Sequence, residues 1–329
     1  MLVGWVAGRT LPHFVHAGCQ NLVGTLRRLM ADGRYAPSPT GALHVGNLRT
    51  ALLAWCFARS TGSRFRLRVD DLDPADARPD LEAAQLRDLA AIGLDWDQPV
   101  VHQSERRHAH DTAIASLAAM GRTYECWCTR REIREAPRAP HGPPGAYPGT
   151  CRRLGEAERA ANRASGRPAA LRLDAQGEEV VVHDRLRGEV RVVVDDLVLR
   201  RNDGIPSYNL ATVVDDAAAG VEEVVRADDL LDTTPRQALL ARLLDLPVPA
   251  YAHVPLVVGP DGERLAKRHG AVSLAELTPV GVGPMELRAE LAASVGLCEP
   301  GEHVALDELL ERFDPDQLPT APWTWEPPA

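Results

Sequence analysis

The sequence predicts an α/β fold in which parallel strands alternate with crossover helices, and three observations support it. Residues 65–69 alternate apolar and charged side chains, which is the period of a strand. Apolar residues recur at helical spacing over 48–57, and Pro79 opens a second helix that ends at Gly93. A third helix is expected over 105–120. Because parallel strands require crossover connections, this order favours a parallel sheet.

The later segments predict a loop, a strand-rich region and a return to the first pattern. Eight of the thirteen residues over 137–149 are proline or glycine, which is typical of a loop. Valine-rich stretches within 169–200 predict strands. Alternating helix and strand signals return over 205–256. Short helices are expected around 284–295 and 306–313.

The composition indicates a globular protein and narrows its partners. The 329 residues are 45% hydrophobic and 25% charged, unlike disordered, collagen-like or coiled-coil chains. The net charge of −9 argues against nonspecific coating of nucleic acid. No apolar run approaches the ~20 residues of a membrane helix, and the first residues lack a basic leader. We therefore expect a monomeric, cytoplasmic protein that does not contact membranes.

Lys267 is the only lysine, so the other 36 basic residues are arginines. A compact ammonium and a planar guanidinium are not interchangeable where a point charge must follow a moving group. The alternative is an exposed lysine retained by chance.

A candidate phosphate site lies where the first strand meets the first helix. The string Arg34-Tyr-Ala-Pro-Ser-Pro-Thr-Gly41 leads into His44-Val-Gly46-Asn47, after which a helix begins. Free N–H groups and the positive end of the helix dipole favour an anion there, such as a nucleotide phosphate. Gly46 would let a base or ribose approach the backbone. The alternative is a turn with a buried histidine.

That string resembles the R-x-A-P-S-P-T-G…H-I-G-H motif of class I glutamyl-tRNA synthetases. The segment 264–268, Arg-Leu-Ala-Lys-Arg, resembles the K-M-S-K-S-like loop of the same class. The resemblance implies a Rossmann-like catalytic core that binds ATP through His44, Gly46, Asn47 and Lys267. It also implies that His44, Asn47 and Lys267 stabilise charge in the reaction. Ala266 stands where the family has serine.

Three further segments, 68–73, 208–211 and 226–231, resemble motifs of this family in the same order. The resemblance implies that L-glutamate is bound by Arg34, Tyr35, Ala36, Pro37, Ser38, Asp70, Tyr208 and Arg226. The two arginines suit its carboxylates, Tyr208 offers a hydroxyl, and Asp70 suits the α-ammonium. Asp70 stands where the family has glutamate, and Ala227 where it has glycine. Surface ion pairs are the alternative for each arginine.

The cysteines over 126–151 predict a metal site. Three thiols within 26 residues indicate metal rather than disulfides in a reducing compartment. Cys126 and Cys128 point the same way off a strand, and a loop brings Cys151 back. The pattern C-x-C…Y-x-x-x-C resembles a truncated branch of the family and implies one structural zinc ion with Tyr147 as the fourth ligand. His141 is the alternative fourth ligand, and a metal-free cluster is another.

The length of the chain also resembles that of this truncated branch, the glutamyl-queuosine tRNA(Asp) synthetases. Only 62 residues follow Lys267, which we interpret as too few for an anticodon-reading domain. The resemblance implies that glutamate is activated by Mg-ATP and transferred to queuosine at the wobble position of tRNA(Asp). One alternative is a truncated glutamyl-tRNA synthetase that charges the 3′ end in a tRNA-dependent reaction. Another is a non-catalytic paralogue that binds nucleotide or tRNA.

A local basic track is a candidate rest for tRNA phosphates, although a solvated arginine-rich face is equally consistent with the sequence. Its members are Arg130, Arg131, Arg134, Arg138, Arg152 and Arg153.

We divide the chain into five segments. These are an N-terminal extension over 1–33, disordered or preceding the true start; the first half of the catalytic domain over 34–124; a zinc-containing insertion with connecting strands over 125–200; the second half with the lysine loop over 201–277; and a short helical tail over 278–329.

Overall fold

The computed structural model describes residues 31–135, 147–270 and 272–326. The expected N-terminal extension therefore lies outside the described residues except for its last three, and so does His141.

Three parallel strands form one half of the central sheet, in the order β1-β2-β3. They are β1 (Gly33–Tyr35), β2 (Phe65–Val69) and β3 (Asp97–His102). The strand predicted over 65–69 is confirmed. Arg34 and Arg66 are register partners, so β1 and β2 end at the same edge of the sheet.

Four strands form the other half, in the order β7-β6-β10-β9. They are β6 (Glu179–Asp184), β7 (Gly188–Val193), β9 (Glu223–Ala227) and β10 (Ala250–Val254). β10 is parallel to both its neighbours, whereas β7 pairs with β6 as an antiparallel hairpin. The backbone N–H of Glu222 donates to the Asp32 carbonyl over 2.9 Å, which brings β9 alongside β1. The α/β class with parallel strands is confirmed, with an antiparallel edge.

Two smaller sheets complete the fold. β4 (Thr123–Cys126), β5 (Ala170–Leu173) and β8 (Val198–Arg200) form an antiparallel sheet. Cys126 is the last residue of β4, whereas Cys128 lies just after the strand and Cys151 begins a 3₁₀ turn. β11 (Val257–Val258) pairs with β12 (Trp323–Thr324).

The helices of the described residues cover both faces of the central sheet. They are α1 (Val45–Arg59), α2 (Pro79–Ala91), α3 (Arg107–Ala119), α4 (Arg130–Glu135), α5 (Glu156–Ala164), α6 (Tyr208–Ala218), α7 (Thr234–Leu243), α8 (Leu274–Leu277), α9 (Pro284–Ala293) and α10 (Leu306–Arg312). The helix predicted over 105–120 begins at Arg107, because Gln103–Arg106 forms a 3₁₀ turn. Within the described ranges, none of the helices has the length and apolar character to cross a bilayer.

Helix α1 lies at the centre of the main core. Eleven of its 15 residues are buried, although the sequence predicts only one apolar stripe. The sheet packs on one side of it and helices α9 and α10 on the other. Arg49 is accommodated there because its guanidinium donates to Ser294 Oγ and to the Pro255 carbonyl, both over 2.9 Å.

The C-terminal segment is part of this core and not an appendage. Leu291 and Leu309 join the main cluster, and the Phe57 and Phe313 rings meet edge to face with centroids 5.2 Å apart. The described chain ends in the strand β12, and Trp325 directly after it is 1% exposed. The helices expected near 284–295 and 306–313 are present. After them, the segment forms the short strand β12, which pairs with β11.

Replacement of Trp325 by alanine tests this arrangement. Removing a fully buried indole leaves a cavity, so we expect the free energy of unfolding to fall by about 3–5 kcal/mol. Chemical denaturation of Trp325→Ala measures it, with the exposed neighbour Glu326→Ala as a control that should change it by less than about 0.5 kcal/mol. Equal stability of the two variants would contradict the burial of this segment.

Candidate active site

A cavity of about 440 Å³, here called the inner cavity, opens where β1, β2 and β9 end and α1 and α6 begin. The structure brings together at this one place all but two of the residues to which the sequence assigned nucleotide or glutamate binding. The predicted residues that line it are Arg34, Tyr35, Ala36, Pro37, Ser38, His44, Asn47, Asp70, Tyr208 and Arg226. Gly46 and Lys267 are treated below.

His44 and Asn47 cap helix α1 reciprocally. The backbone N–H of Asn47 donates to His44 Nδ1 over 3.3 Å, and the backbone N–H of His44 donates to Asn47 Oδ1 over 3.2 Å. Because Nδ1 accepts, the imidazole proton is on Nε2; because Oδ1 accepts, the Asn47 amide offers its N–H groups to the cavity. Both side chains therefore present donors, as binding of an anionic group requires.

The environment of His44 keeps its ring neutral. Burial and the nearby Arg264 guanidinium lower the pKa of His44 to about 4. Gly46 serves this ring, because a Cβ at that position would lie 3.0 Å from His44 Cε1. The missing side chain makes room for the imidazole, and the approach of a base or ribose to Gly46 stays a prediction.

Arg34, Arg68, Asp70 and Asp216 form a buried chain of ion pairs beside the cavity. Arg34 donates from Nε and Nη2 to the two carboxylate oxygens of Asp216, each over 3.2 Å. Arg68 binds Asp216 through Nη1 and Asp70 through Nε, the latter over 2.7 Å. Burial raises the pKa of Asp70, whereas Arg34 and Arg68 outweigh burial and lower that of Asp216. The fork of Arg34 is thus already engaged, and Nη1 remains for a ligand.

Arg226 is buried against the cavity and is held by neutral acceptors. Its Nε donates to His253 Nε2 over 3.0 Å, its Nη1 to Gln237 Oε1 over 2.8 Å, and its Nη2 to Thr234 Oγ1 over 2.8 Å. Among the described residues, no carboxylate lies within 4 Å of this guanidinium. Burial lowers the pKa of Arg226, so its charge is unfavourable without a ligand. An anionic ligand would supply the missing partner.

A larger cleft of about 860 Å³, here called the outer cleft, adjoins the inner cavity. The two share Ser38, Thr40, Asp70 and Tyr208. The far wall of the cleft is formed by the residues 126–130, which include two of the cysteines. Tyr208 is 39% exposed at the boundary between the two spaces. A second substrate in the outer cleft would therefore reach a ligand held in the inner cavity.

The lysine loop borders a third space of about 520 Å³ that meets the inner cavity at Ala42, His44 and Arg264. Lys267 begins the short 3₁₀ helix Lys267–His269 in this loop. Arg264 forms an ion pair with Asp229 over 2.6 Å. The loop and the capped start of α1 thus lie on two sides of one space, as a nucleotide site formed by both requires.

The three cysteines of the insertion converge. The thiol sulfurs of Cys126, Cys128 and Cys151 all lie within 4.8 Å of one another. The Cys128 and Cys151 sulfurs are 3.5 Å apart, close to the roughly 3.8 Å edge of a tetrahedron with ~2.3 Å zinc–sulfur bonds. The Tyr147 hydroxyl oxygen lies 3.3 Å from the Cys126 sulfur and 3.5 Å from that of Cys128. The donor set fits one tetrahedral metal ion.

The surroundings of Tyr147 suit a ligand that loses its proton. Its hydroxyl oxygen accepts the backbone N–H of Cys151 over 2.8 Å, and the Arg172 guanidinium stacks 3.7 Å above its ring. Burial nevertheless raises the pKa of Tyr147 and raises that of Cys128 to about 12. Hydrogen bonds from its neighbours outweigh burial and lower the pKa of Cys151, so a bound cation is needed chiefly to deprotonate Tyr147 and Cys128 at neutral pH.

The arginines of the predicted basic track differ in exposure and pairing. Arg130, Arg131 and Arg153 are exposed, and Arg130 lines the outer cleft. Arg152 is compensated by Asp174 and Asp196 at 3.1 and 3.0 Å. The side chain of Arg134 and the whole of Arg138 lie outside the described part. Three cleft arginines that the prediction omitted are Arg167, Arg172 and Arg201, of which Arg172 is buried and Arg201 pairs with two aspartates.

Three buried residues behind the site, Asp184, Asp216 and His253, are not predicted by the sequence patterns. A signal was available for one of them, because the pair Asp215-Asp216 interrupts an otherwise apolar helix. Charged residues on a buried helix face are rarely present without a partner.

Comparison with known proteins places the chain among relatives. A family model described as the catalytic domain of class I tRNA synthetases (E and Q) matches residues 31–323. The glutamyl-Q tRNA(Asp) synthetase of Nocardia farcinica is 61% identical over 291 residues, which is 88% of this chain and 92% of that protein. That of Symbiobacterium thermophilum is 47% identical over 307 residues, 89% of this chain and 95% of that protein.

Longer relatives match less closely. Glutamate–tRNA ligase 1 of Halorhodospira halophila is 42% identical over 316 residues, covering 92% of this chain and 66% of that protein. The crystal structure of a glutamate tRNA ligase from Elizabethkingia meningosepticum in complex with its amino acid superimposes with a TM-score of 0.78 at 26% identity. It covers 90% of this chain and 67% of that one.

The lowered pKa of His44 gives a testable expectation. We expect its imidazole to titrate near pH 4 in the folded protein, measured by NMR with His44→Gln to assign the signal. Because the unfolded chain takes up the proton first, the contribution of His44 to stability is lost as pH falls from about 6.5 towards 4. A midpoint near 6.5 in the folded protein would contradict the buried, neutral ring.

Proposed function

The chain belongs to the class I glutamate- and glutamine-type tRNA synthetase family, and we propose that it activates L-glutamate with ATP and transfers it to queuosine at the wobble position of tRNA(Asp). The geometric observation that supports glutamate is Arg226, a buried cation at the inner cavity with no carboxylate within 4 Å among the described residues. The higher identity to the glutamyl-Q synthetases than to glutamate–tRNA ligases favours queuosine as acceptor.

In the first step the α-carboxylate of glutamate attacks the α-phosphate of Mg-ATP, giving glutamyl-adenylate and pyrophosphate. Three arginines, Arg34, Arg68 and Arg226, lie at the pocket with two carboxylates, Asp70 and Asp216, so this group of described residues carries one uncompensated positive charge. Glutamate carries a net charge of about −1 at neutral pH and balances it. Asp70 is assigned to the α-ammonium and Tyr208 to a hydrogen bond with the amino acid.

The donors at the start of α1 serve the phosphates. His44 offers Nε2–H and Asn47 its amide, both held in place by the reciprocal cap. Lys267 is assigned to the charge that develops as pyrophosphate leaves. No side chain acts as a nucleophile in this scheme, and the rate comes from positioning and from fixed donors that match the transition-state charge.

In the second step a hydroxyl of the queuosine ring attacks the activated carbonyl, and AMP leaves. The outer cleft is the assigned path for this nucleoside, because it joins the inner cavity at Asp70 and Tyr208. Arg130 and Arg167 on the cleft are the assigned contacts for tRNA phosphates, whereas Arg201 on the same cleft is already paired with Asp73 and Asp203. In this proposal the tRNA is bound by a few arginines at specific positions, because a chain with a net charge of −9 does not attract nucleic acid nonspecifically.

We further propose one structural zinc ion held by Cys126, Cys128, Tyr147 and Cys151. Four ligands close such a site to substrate, and the ion would link the end of β4 to the start of the 147–151 segment. This region, residues 125–200 of the predicted division, then acts as a rigid wall of the outer cleft. The tail over 278–329 and the two catalytic halves, 34–124 and 201–277, complete the proposed organisation.

The proposed function is tested by glutamate-dependent exchange of pyrophosphate into ATP. We expect exchange without tRNA, followed by glutamate transfer to tRNA(Asp) that carries queuosine. Transfer should persist when the 3′-terminal adenosine of the tRNA is removed and should be lost on the same tRNA transcribed without queuosine. Exchange only with tRNA, or transfer that requires the terminal adenosine, would favour a 3′-charging synthetase. No exchange at all would favour a non-catalytic paralogue.

Two variants of Lys267, the single lysine, test its role in that assay. Lys267→Ala should lower exchange at least about 100-fold without changing the thermal midpoint, since a charge at the phosphates contributes chiefly to the transition state. Lys267→Arg keeps the charge but not the compact ammonium, and we expect intermediate exchange. Exchange at the normal rate in Lys267→Ala would remove this residue from the mechanism.

The zinc site is tested by metal content after dialysis and by chelator competition. We expect one zinc ion per chain, reduced in Cys151→Ser, and a lower affinity in Tyr147→Phe. Tyr124→Phe is the matched control, because Tyr124 lies in the same apolar cluster but donates to Asp196 and not to the thiols. Unchanged affinity in Tyr147→Phe would exclude this phenol, and His141→Ala would then test the other candidate.

A further inference from the structure

Three polar residues on adjacent strands lie next to one another behind the inner cavity. His253 on β10 is the register partner of Arg226 on β9. Side chains of directly paired residues lie on the same face of a sheet, so the two can interact. On its other side β10 is parallel to β6, whose last residue is Asp184. All three residues are buried, with 4% or less of each exposed.

Asp184 fixes the tautomer of His253. The Asp184 carboxylate lies 2.6 Å from His253 Nδ1 and also accepts the backbone N–H groups of Leu186 and Arg187 over 3.0 and 2.9 Å. Hydrogen bonds outweigh burial and lower the pKa of Asp184, so this group is a carboxylate and Nδ1 carries the proton. Nε2 is then an acceptor.

Two donors converge on that acceptor. Arg226 Nε donates over 3.0 Å, and the Thr234 hydroxyl lies 3.1 Å away. Burial lowers the pKa of His253, in agreement with a neutral ring between an anion and a cation. Thr234 also accepts from Arg226 Nη2, so the imidazole and the hydroxyl together hold the guanidinium plane.

We propose that Asp184 and His253 are positioning residues that orient Arg226 towards an anionic amino acid while leaving its charge uncompensated. The inference rests on the proposed activation of glutamate. Asp184 fixes the orientation of the His253 ring, and the ring in turn fixes that of Arg226. Because the ring is neutral, no negative charge contacts Arg226 directly. A carboxylate in direct contact would neutralise the guanidinium, as Asp216 does for Arg34. Arg49 is also held by neutral groups, but it lies in the helical core and not on the inner cavity.

Two substitutions of His253 separate this role from a purely structural one. His253→Gln can place its carbonyl oxygen near the position of Nε2 and accept from Arg226. His253→Asn can donate to Asp184 from near the position of Nδ1 but does not reach Arg226. The measurement is tRNA-independent pyrophosphate exchange, with glutamate and glutamine varied separately and with thermal unfolding of each variant.

We expect His253→Asn to raise KM for glutamate about ten- to a hundred-fold, as loss of a hydrogen bond to a charged group does, with kcat changed less than about threefold. Its preference for glutamate over glutamine should fall in parallel. His253→Gln should keep KM within about threefold of the unsubstituted chain. Equal KM values in the two variants, or a fall in kcat alone, would overturn the proposal.

The tautomer provides a second measurement on the unsubstituted protein. In ¹⁵N-histidine NMR we expect His253 to be protonated at Nδ1 and not at Nε2, with no substrate present. A proton on Nε2 would overturn the proposal even if the Asn variant failed to fold. Absence of exchange in the unsubstituted chain would instead contradict the proposed function, and the tautomer would distinguish the two failures.

Discussion

The fold is organised around one buried carboxylate, that of Asp216. Charges that leave water must be paired, and Asp216 lies on an apolar helix with Arg34 and Arg68 as its partners. These arginines come from the two strands β1 and β2, so the ion pairs fix helix α6 against the end of the sheet. Because Arg68 also binds Asp70, the same contacts set the position of the residue assigned to the α-ammonium. The same ion pairs therefore stabilise the fold and position the residues proposed to bind the amino acid.

The arrangement explains how an acidic chain recognises anions. Positive charge exceeds negative charge by one at the inner cavity, whereas the outer cleft is lined by four arginines and four aspartates. Exposed arginines such as Arg78, Arg163 and Arg191 pair with neighbouring carboxylates. In the proposed scheme the inner cavity receives an amino acid with two carboxylates and a net charge of about −1, the space beside the lysine loop receives the nucleotide, and the outer cleft leads to the inner cavity. Two residues of the cysteine cluster, Cys126 and Cys128, line that cleft.

Local patterns predicted the elements and most of the cavity lining, because strand alternation and the Arg34–Asn47 string are short-range features. They did not predict that Arg34 is already paired, since Asp216 is 182 residues away in sequence. Nor did they predict Gly46 as the space for the His44 ring, or Asp184 behind His253. These contacts depend on sheet register and helix packing, which a period of two or 3.6 residues does not encode. The closing strand β12 was missed for the same reason: two residues carry no period.

The uncompensated guanidinium of Arg226 has a consequence for the lifetime of the chain. A buried charge with no counterion destabilises the folded state, and a ligand that binds only that state stabilises it by mass action. Under the proposed function, the folded protein gains stability, and with it resistance to proteolysis, as the concentration of its anionic amino acid rises. In this proposal, selectivity for an anionic ligand and the stabilisation of the fold by that ligand have the same cause, the lack of a carboxylate partner for Arg226 among the described residues.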